Sequence, residues 1–87
     1  MVVRQIVIRN PVGLYARPAT FFIQRANDFG CSIWVEKENR KVNAKSLLGV
    51  LSLGIVCGTP ITLYADGDDE QQAVDSLAKL VDSNFGA

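Results

Sequence analysis

The chain has 87 residues, nine basic against nine acidic side chains, and no histidine. This length predicts one domain over residues 1–87. The absence of histidine excludes the usual general base near neutral pH, the Ser-His and Cys-His nucleophile pairs, and the commonest zinc ligand. Because nucleic-acid backbones are usually bound by a basic surplus, the neutral balance also argues against direct binding of nucleic acid.

Charge is nevertheless unevenly distributed along the chain. Residues 1–45 hold eight basic and three acidic residues, whereas residues 46–87 hold one basic and six acidic residues. Such a division predicts either two faces of opposite sign that orient a protein partner or two solvated faces without that role.

The cysteines and the hydropathy bear on the cellular compartment. Cys31 and Cys57 form no CxxC pair, so we expect reduced thiols rather than a zinc site or a disulfide framework. The start of the chain lacks the basic segment and long apolar core of a signal peptide. No apolar run approaches the ~20 residues of a membrane span. We therefore expect a cytoplasmic protein without a metal, a cofactor or a membrane contact.

The chain begins with a strand pattern followed by a helical one. Residues 2–8 are rich in β-branched side chains, which predicts a strand. Across residues 16–29 the apolar side chains recur at spacings of three and four, which predicts a helix. Pro18 fits in the first turn of that helix, and Gly30 provides its stop.

The rest of the chain continues to alternate between strand patterns and helical patterns. The predicted segments are strands at residues 32–37, 40–44 and 60–66, a short helix from Ser46 that ends by Gly54, and a last helix over residues 68–84. The acidic residues 68–70 favour a helix start, because negative charge is stabilised at a helix N-terminus. The order β-α-β-β-α-β-α predicts an α+β fold in two layers, with an antiparallel sheet and helices on one face. The pattern alone leaves the strand order open.

Two segments carry groups able to hold or receive a phosphate. The first is the loop at residues 13–18, which runs into the first predicted helix. Unpaired N–H groups at a helix start attract anions, and Arg17 adds guanidinium donors suited to phosphate. On the residues alone, this segment is either an anion site or an ordinary helix start.

The second segment surrounds Ser46, which stands at the N-cap position of the short helix. Its hydroxyl is either a plain cap for N–H groups of the first turn or the acceptor of a phosphate. Gly49 inside so short a helix costs about 0.5–1 kcal/mol relative to alanine. This short helix carries four apolar residues, more than one buried face of a two-turn helix requires. Either all four pack into the core, or some are exposed and available to a partner. These four are Leu47, Leu48, Val50 and Leu51.

Both segments resemble those of a known family. Residues 13–20 read GLYARPAT and residues 42–54 read VNAKSLLGVLSLG. They resemble the active-site loop and the regulatory-serine segment of HPr, the phosphocarrier protein of the bacterial sugar phosphotransferase system. The likeness covers essentially the whole chain and implies an open-faced β-sandwich with strand order 1-4-2-3 and three helices on one face.

The resemblance also implies a chemistry for each segment. In the family, a histidine in the first segment takes phosphate from Enzyme I and passes it to sugar-transporter components, and the arginine matching Arg17 steadies that phosphate. In Gram-positive members, the serine matching Ser46 is phosphorylated by HPr kinase/phosphorylase with ATP. The phosphoserine form then binds the transcription factor CcpA as a corepressor in carbon catabolite repression.

The chain departs from this pattern at the histidine position, which Tyr15 occupies. Phosphohistidine is a labile phosphoramidate with high transfer potential, whereas a phosphate ester of tyrosine is a poor donor. Loss of the histidine beside a retained serine segment resembles Crh, the HPr-like catabolite-repression branch of the family, in which the position is typically glutamine. We therefore interpret Tyr15 as an aromatic residue that covers the helix start, not as a carrier of phosphate.

The resulting prediction is a regulator that is not an enzyme. Ser46 is the expected acceptor for HPr kinase/phosphorylase, and Arg17 and Lys45 form the charged part of a surface for a CcpA-type repressor. The apolar part comprises Leu47, Leu48 and Leu51. Contacts with Enzyme I and sugar-transporter components are expected to be weak or lost. Two alternatives stay open: a phosphocarrier with a substituted active-site residue, and a small α+β interaction module outside both pathways.

Overall fold

Four strands in the computed structural model, which describes residues 1–86, form one antiparallel sheet. They are β1 (Val2–Val7), β2 (Ser32–Lys37), β3 (Arg40–Asn43) and β4 (Pro60–Asp66). Their order across the sheet is β1-β4-β2-β3. The strand order implied by the family resemblance is therefore confirmed, and β4 lies between the first two strands of the chain.

Three antiparallel pairings determine which residues lie side by side. Val3 of β1 is opposite Tyr64 of β4, and Tyr64 is in turn opposite Trp34 of β2. Trp34 is opposite Asn43 of β3. Because side chains alternate between the two faces of a strand, this row lies on one face of the sheet and the adjacent residues of each strand point to the other face.

Three α-helices cover one face of the sheet and complete the predicted element order. They are α1 (Ala16–Asn27), α2 (Leu47–Ser52) and α3 (Glu70–Asp82), followed by a short 3₁₀ turn at Asn84–Gly86. The α+β fold with three helices on one face is thus confirmed. Between residues 1 and 86, no helix is both long and apolar enough to cross a membrane.

The predicted segment boundaries differ from the observed ones by at most two residues. The first helix ends at Asn27, because the N–H groups of Asp28 and Phe29 bond to carbonyl groups three residues back instead of four. Strands β1 and β3 each end one residue before the predicted boundary, and α3 ends at Asp82. Such small shifts at element ends are ordinary.

Asp69 binds the turn before β2 instead of capping α3. Its carboxylate oxygens accept the N–H groups of Gly30 at 2.9 Å and Cys31 at 3.0 Å. A hydrogen bond from the Cys31 thiol, together with these backbone donors, holds the pKa of Asp69 below its usual range. Within the acidic run that was predicted as a helix start, Asp69 therefore makes a contact with another part of the fold. The helix α3 begins at Glu70 rather than at Asp68.

The hydrophobic core lies between the sheet and the helices. Phe22 of α1, Val50 of α2 and Leu77 of α3 are all fully buried. They belong to one cluster with the inward-facing residues of the two central strands, Ile33, Val35, Ile61, Leu63 and Ala65. Burying a side chain of this kind contributes about 1.5–3 kcal/mol, so each helix is held to the sheet by its own apolar face.

The other face of the sheet carries an aromatic pair covered by a cation. The Lys41 ammonium lies 3.9 Å from the centre of the Tyr64 ring and 5.2 Å from that of Trp34. The Tyr64 hydroxyl donates a hydrogen bond to the Glu36 carboxylate, and this bond raises the pKa of Tyr64. Because the three strands β3, β2 and β4 each supply a member, the cluster links the edge strand β3 to the middle of the sheet.

Candidate functional site

A tight turn sets the position of the first segment. Gly13 has a φ of +66°, which favours glycine, and the Asn10 side-chain amide donates to its carbonyl oxygen at 2.8 Å. A Cβ atom at residue 13 would overlap the carbonyl oxygen of Ile55 and lie 2.7 Å from Cα of Val56. The Leu14 N–H donates to that same Ile55 carbonyl at 3.0 Å. The loop before α1 is therefore joined to the segment that follows α2.

Tyr15 and Arg17 are both exposed at the start of α1. Tyr15 precedes the helix in an extended conformation, does not cap it with its side chain, and is 67% exposed. Ala16 has a φ of +54°, a left-handed conformation that costs a non-glycine residue on the order of 1 kcal/mol. The Arg17 guanidinium lies 5.5 Å from the centre of the Phe21 ring. With two thirds of its surface in solvent, Tyr15 covers little of the helix start.

Ser46 caps α2, as its position predicted. Its backbone is extended, and its Oγ accepts the N–H of Gly49 at 3.2 Å. A Cβ atom at residue 49 would lie 3.3 Å from that Oγ and 3.4 Å from Cβ of Val42, which is tight packing. The glycine that lowers helix propensity at this position therefore preserves space beside the serine hydroxyl.

Lys45 is engaged within the fold. Its ammonium donates to the Phe29 carbonyl at 2.6 Å, and its N–H donates to the Asn43 side chain at 2.8 Å. Its own carbonyl accepts a longer hydrogen bond, at 3.5 Å, from the Asn27 side-chain amide. These contacts attach the start of α2 to the end of α1, so the half-buried Lys45 differs from the exposed Arg17.

Two cations from the β2–β3 hairpin hold the other end of α2. The Lys37 ammonium donates to the carbonyls of Leu53 and Gly54, both at 3.0 Å. The Arg40 guanidinium donates to the Ser52 carbonyl at 2.9 Å. Positive groups donate hydrogen bonds to the unpaired carbonyls at a helix C-terminus, and they are attracted to its partial negative charge. A helix of six residues is too short to be stable alone, so α2 depends on the contacts at both of its ends.

The apolar residues of α2 divide between the core and the surface. Leu48 is 81% exposed and Leu47 is 44% exposed, whereas Val50 is fully buried. Leu51 is half-buried. Of the two alternatives left open by the sequence, the structure therefore supports the one in which some of these residues face solvent. We refer to Leu47, Leu48 and Leu51 as the leucine surface.

The two segments lie at opposite ends of α1. The start of α2 is attached to Phe29, and the segment after α2 is attached to Leu14. With a rise of ~1.5 Å per residue, the 12 residues of α1 span roughly 18 Å. Arg17 and Ser46 are therefore not brought together, and within residues 1–86 no hydrogen bond or ion pair joins them. The leucine surface lies on the helix that runs between the two ends.

Two exposed valines were not predicted as part of this region. Val12 is 58% exposed and Val56 is 60% exposed. They flank the point at which Leu14 and Ile55 are paired. Valine is normally among the buried residue types, so nothing in the sequence distinguished these two from core residues. Only the pairing of two segments far apart in the chain places them beside the first segment.

Neither thiol takes part in a metal centre in the described part of the chain. Residues 1–86 contain no group of three or more histidine, cysteine or acidic side chains able to hold a metal ion. Cys31 is buried, and this burial together with Asp69 raises the pKa of its thiol to about 11. Cys57 is exposed, with its sulfur 3.4 Å from the Arg9 carbonyl oxygen.

Comparison with known proteins defines the class to which this fold and these segments belong. A family profile described as "PTS HPr component phosphorylation site" matches residues 2–83. The chain therefore belongs to the HPr family, and the resemblance inferred from its two motifs is confirmed.

Individual relatives come from both branches of that family. The HPr-like protein Crh of Bacillus subtilis (strain 168) is 47% identical over 81 residues, which cover 93% of this chain and 95% of that protein. Phosphocarrier protein HPr of Lysinibacillus sphaericus is 40% identical over 81 residues, covering 93% and 92%. The crystal structure of HPr-C-His from Thermoanaerobacter tengcongensis has a TM-score of 0.99 and 49% identity, covering 100% of this chain and 98% of that one. The similarity to the Crh branch is thus confirmed as well.

Proposed function

We propose that this protein is a cytoplasmic regulator of carbon catabolite repression, without enzymatic activity, that acts through a phosphate on Ser46. One observation carries the proposal: the chain has no histidine and places Tyr15 at the start of α1, yet keeps Ser46 as the cap of α2. Its similarity to HPr-like proteins named Crh supports this separation of the two activities.

Loss of the phosphate relay follows from the chemistry of residue 15. A relay needs a phosphorylated nitrogen that releases its phosphate readily to the next protein. Tyr15 offers a phenol oxygen, on which phosphate forms a stable ester, and its side chain is 67% exposed. Because the chain contains no histidine at all, no other position can replace the relay residue. Transfer from Enzyme I to sugar-transporter components is therefore expected to be lost.

The proposed modification uses ATP as donor and HPr kinase/phosphorylase as catalyst. Ser46 Oγ attacks the γ-phosphorus of ATP, and the bond from that phosphorus to the bridging oxygen breaks. ADP leaves, and the hydroxyl proton passes to the kinase. The space preserved by Gly49 lies beside this Oγ. The phosphate adds about −1.5 to −2 charge at a helix start, where negative charge is favoured, so we expect the fold to persist.

The phosphorylated protein is proposed to bind a CcpA-type repressor through a mixed surface. The exposed leucines of the leucine surface supply apolar contact area, and the exposed Arg17 supplies a cation near the other end of α1. Lys45 contributes differently, because its ammonium is bonded to the Phe29 carbonyl. We expect it to hold the start of α2 in place and to add positive charge close to Ser46.

The modification is tested by incubating the protein with HPr kinase/phosphorylase and ATP and mapping phosphate by mass spectrometry. We expect one phosphate, on Ser46. Ser46→Ala should abolish the modification. Ser52→Ala is a matched control, because Ser52 is an exposed serine at the other end of the same helix, and this variant should be modified normally. A wild-type chain without phosphate on Ser46 would contradict the proposal.

The partner surface is tested with a CcpA-type repressor by calorimetric titration. The phosphorylated chain should bind at least ~10-fold more tightly than the unmodified chain, which corresponds to about 1.4 kcal/mol. Leu48→Ser should weaken binding of the phosphorylated form by about 10-fold, as expected for an apolar anchor. Because Leu48 is 81% exposed, the free energy of unfolding should change by less than about 0.5 kcal/mol. Equal affinity of wild type and variant would exclude Leu48 from the interface.

A phosphocarrier function is the second candidate, because the rest of the first segment is in place. The Gly13 turn and the exposed Arg17 flank Tyr15, and phosphocarrier proteins are among the relatives. An assay with Enzyme I and phosphoenolpyruvate distinguishes the phosphocarrier from the regulator. Phosphate that appears on Tyr15 and moves to a transporter component would establish the carrier function. Tyr15→His should restore acceptance from Enzyme I. If neither Enzyme I nor the kinase recognised the chain, an interaction module outside both pathways would be the remaining function.

A further inference from the structure

A groove between α1 and α3 lies outside the site described above. It has a volume of about 580 Å³ and runs from Phe21 and Arg25 on α1 to Lys79 and Leu80 at the end of α3, with Phe85 in its wall. Sites for small organic molecules typically measure about 300–1,000 Å³. The groove therefore has the size of a ligand site, although it is open to solvent along its length.

The groove combines an apolar floor with a polar rim. Leu80 and Phe85 are 8% and 6% exposed, and the Phe21 ring is half-buried. Arg25 stands on the rim, where its Nη1 donates to the Ser76 hydroxyl at 2.9 Å. That contact orients the guanidinium while engaging one of its three nitrogens. Two aromatic rings beside an oriented cation favour a ligand with a flat apolar body and a polar end.

The charges around the groove favour an anion at that polar end. Among the lining side chains, the cations Arg25 and Lys79 outnumber the one carboxylate, that of Asp28. The C-terminal ends of α1 and α3 also lie here, and their partial negative charges of about −0.5 each are screened by solvent and fall off within the last turn. The Arg17 guanidinium, which lies on the Phe21 ring, adds a positive charge beside the lining. Across residues 1–86, the exposed Lys79 ammonium forms no hydrogen bond or ion pair that a ligand would have to replace.

We propose that this groove binds small organic anions in which a flat ring system carries a carboxylate. The ring packs on Phe21, Leu80 and Phe85, and the carboxylate is bound by Lys79 and Arg25. The site is separate from Ser46 and stands independently of the regulatory function proposed above.

The proposal is tested by NMR titration of the ¹⁵N-labelled full chain with three indoles that differ in charge: indole-3-acetate, neutral tryptophol and cationic tryptamine. Indole-3-acetate should cause saturable shifts confined to residues 17–28 and 76–86, with a Kd on the order of 1 mM, which is typical for a ligand of this size. Tryptophol loses the ion pairs with both Lys79 and Arg25 and should bind about 5- to 20-fold more weakly, the usual effect of two exposed ion pairs. Tryptamine should bind most weakly.

Two variants separate the contributions of charge and ring. Lys79→Gln should reduce the affinity for indole-3-acetate about 2- to 5-fold and leave that for tryptophol unchanged. Phe21→Leu should weaken both ligands. Lys41→Gln is the matched control, because Lys41 lies on the outer face of the sheet. Shifts that do not saturate, saturable shifts at other residues, or binding of tryptamine as tight as that of indole-3-acetate would each overturn the proposal.

Discussion

Replacing Gly13 with alanine tests the close approach that joins the loop before α1 to the segment after α2. The added methyl group meets two obstacles at once. The backbone at residue 13 has a φ of +66°, and the new Cβ atom would overlap the Ile55 carbonyl oxygen. Relief of that overlap requires the two segments to move apart, which lengthens the hydrogen bond from Leu14 to the same carbonyl.

The expected loss of stability is the sum of these effects, moderated by relaxation. The left-handed conformation costs alanine about 1 kcal/mol, and an overpacked contact of this kind costs about 1–3 kcal/mol. Weakening of the Leu14–Ile55 hydrogen bond adds up to about 1 kcal/mol. We therefore expect Gly13→Ala to lower the free energy of unfolding by about 3 kcal/mol, a large share of the roughly 5–15 kcal/mol typical of a domain.

Two other glycines provide controls that separate strain from contact. Gly58 has a φ of +89° but nothing within 4 Å of an added Cβ, so Gly58→Ala should cost about 1 kcal/mol from strain alone. Gly30 has neither a positive φ nor a neighbour within 4 Å, so Gly30→Ala should be neutral or stabilising by about 0.4–1 kcal/mol. Urea unfolding followed by far-UV circular dichroism measures all three. Equal losses for Gly13→Ala and Gly58→Ala would refute the importance of the contact with Ile55.

Three further predictions concern other contacts of the fold. The pKa of Asp69 is lowered in the folded protein, so its contribution to stability is complete above its unfolded pKa of about 3.9 and is lost as the pH falls through the folded value. Asp69→Asn should therefore destabilise the protein at pH 7 and flatten the dependence of the urea midpoint on pH below about 4. A variant whose urea midpoint falls below pH 4 as steeply as that of the wild type would contradict this. Arg40→Ala removes a donor to the Ser52 carbonyl and should speed amide exchange in α2 about 2- to 10-fold, with exchange in the central strands as the unaffected control. Titration with Ellman's reagent at pH 8 should modify the exposed Cys57 quickly and Cys31 only on unfolding, because burial raises the pKa of Cys31 to about 11; two rapidly reacting thiols would be inconsistent with this environment.

Local patterns predicted the segments whose structure is determined locally. The strand patterns at residues 32–37 and 60–66 predicted β2 and β4 with the observed bounds, and the serine at the start of a leucine-rich run predicted the cap of α2. In these cases the signal and the structure it predicts lie within a few residues of one another. The strand order is different, because it depends on contacts between distant segments, and it came from resemblance to a family.

The contacts that no local pattern indicated are those between residues far apart in the chain. Asp69 reads as part of an acidic helix start, but its carboxylate accepts hydrogen bonds from two N–H groups, those of Gly30 and Cys31. Lys45 reads as a surface cation, but its ammonium binds the Phe29 carbonyl. In both cases the partner lies on another element and has no sequence signature, since any backbone N–H or carbonyl can take the role.

Trp34, the one tryptophan of the chain, belongs to the sheet face that points away from the three helices, where Lys41 covers its ring. Its neighbours include Tyr64 and Asn43 on the adjoining strands, and it lines a small surface cavity together with Lys45. The intrinsic fluorescence of the unlabelled protein should therefore respond when the sheet comes apart and remain constant when a molecule binds in the groove between α1 and α3, which Trp34 does not line. One optical signal thus distinguishes loss of the fold from occupancy of that groove.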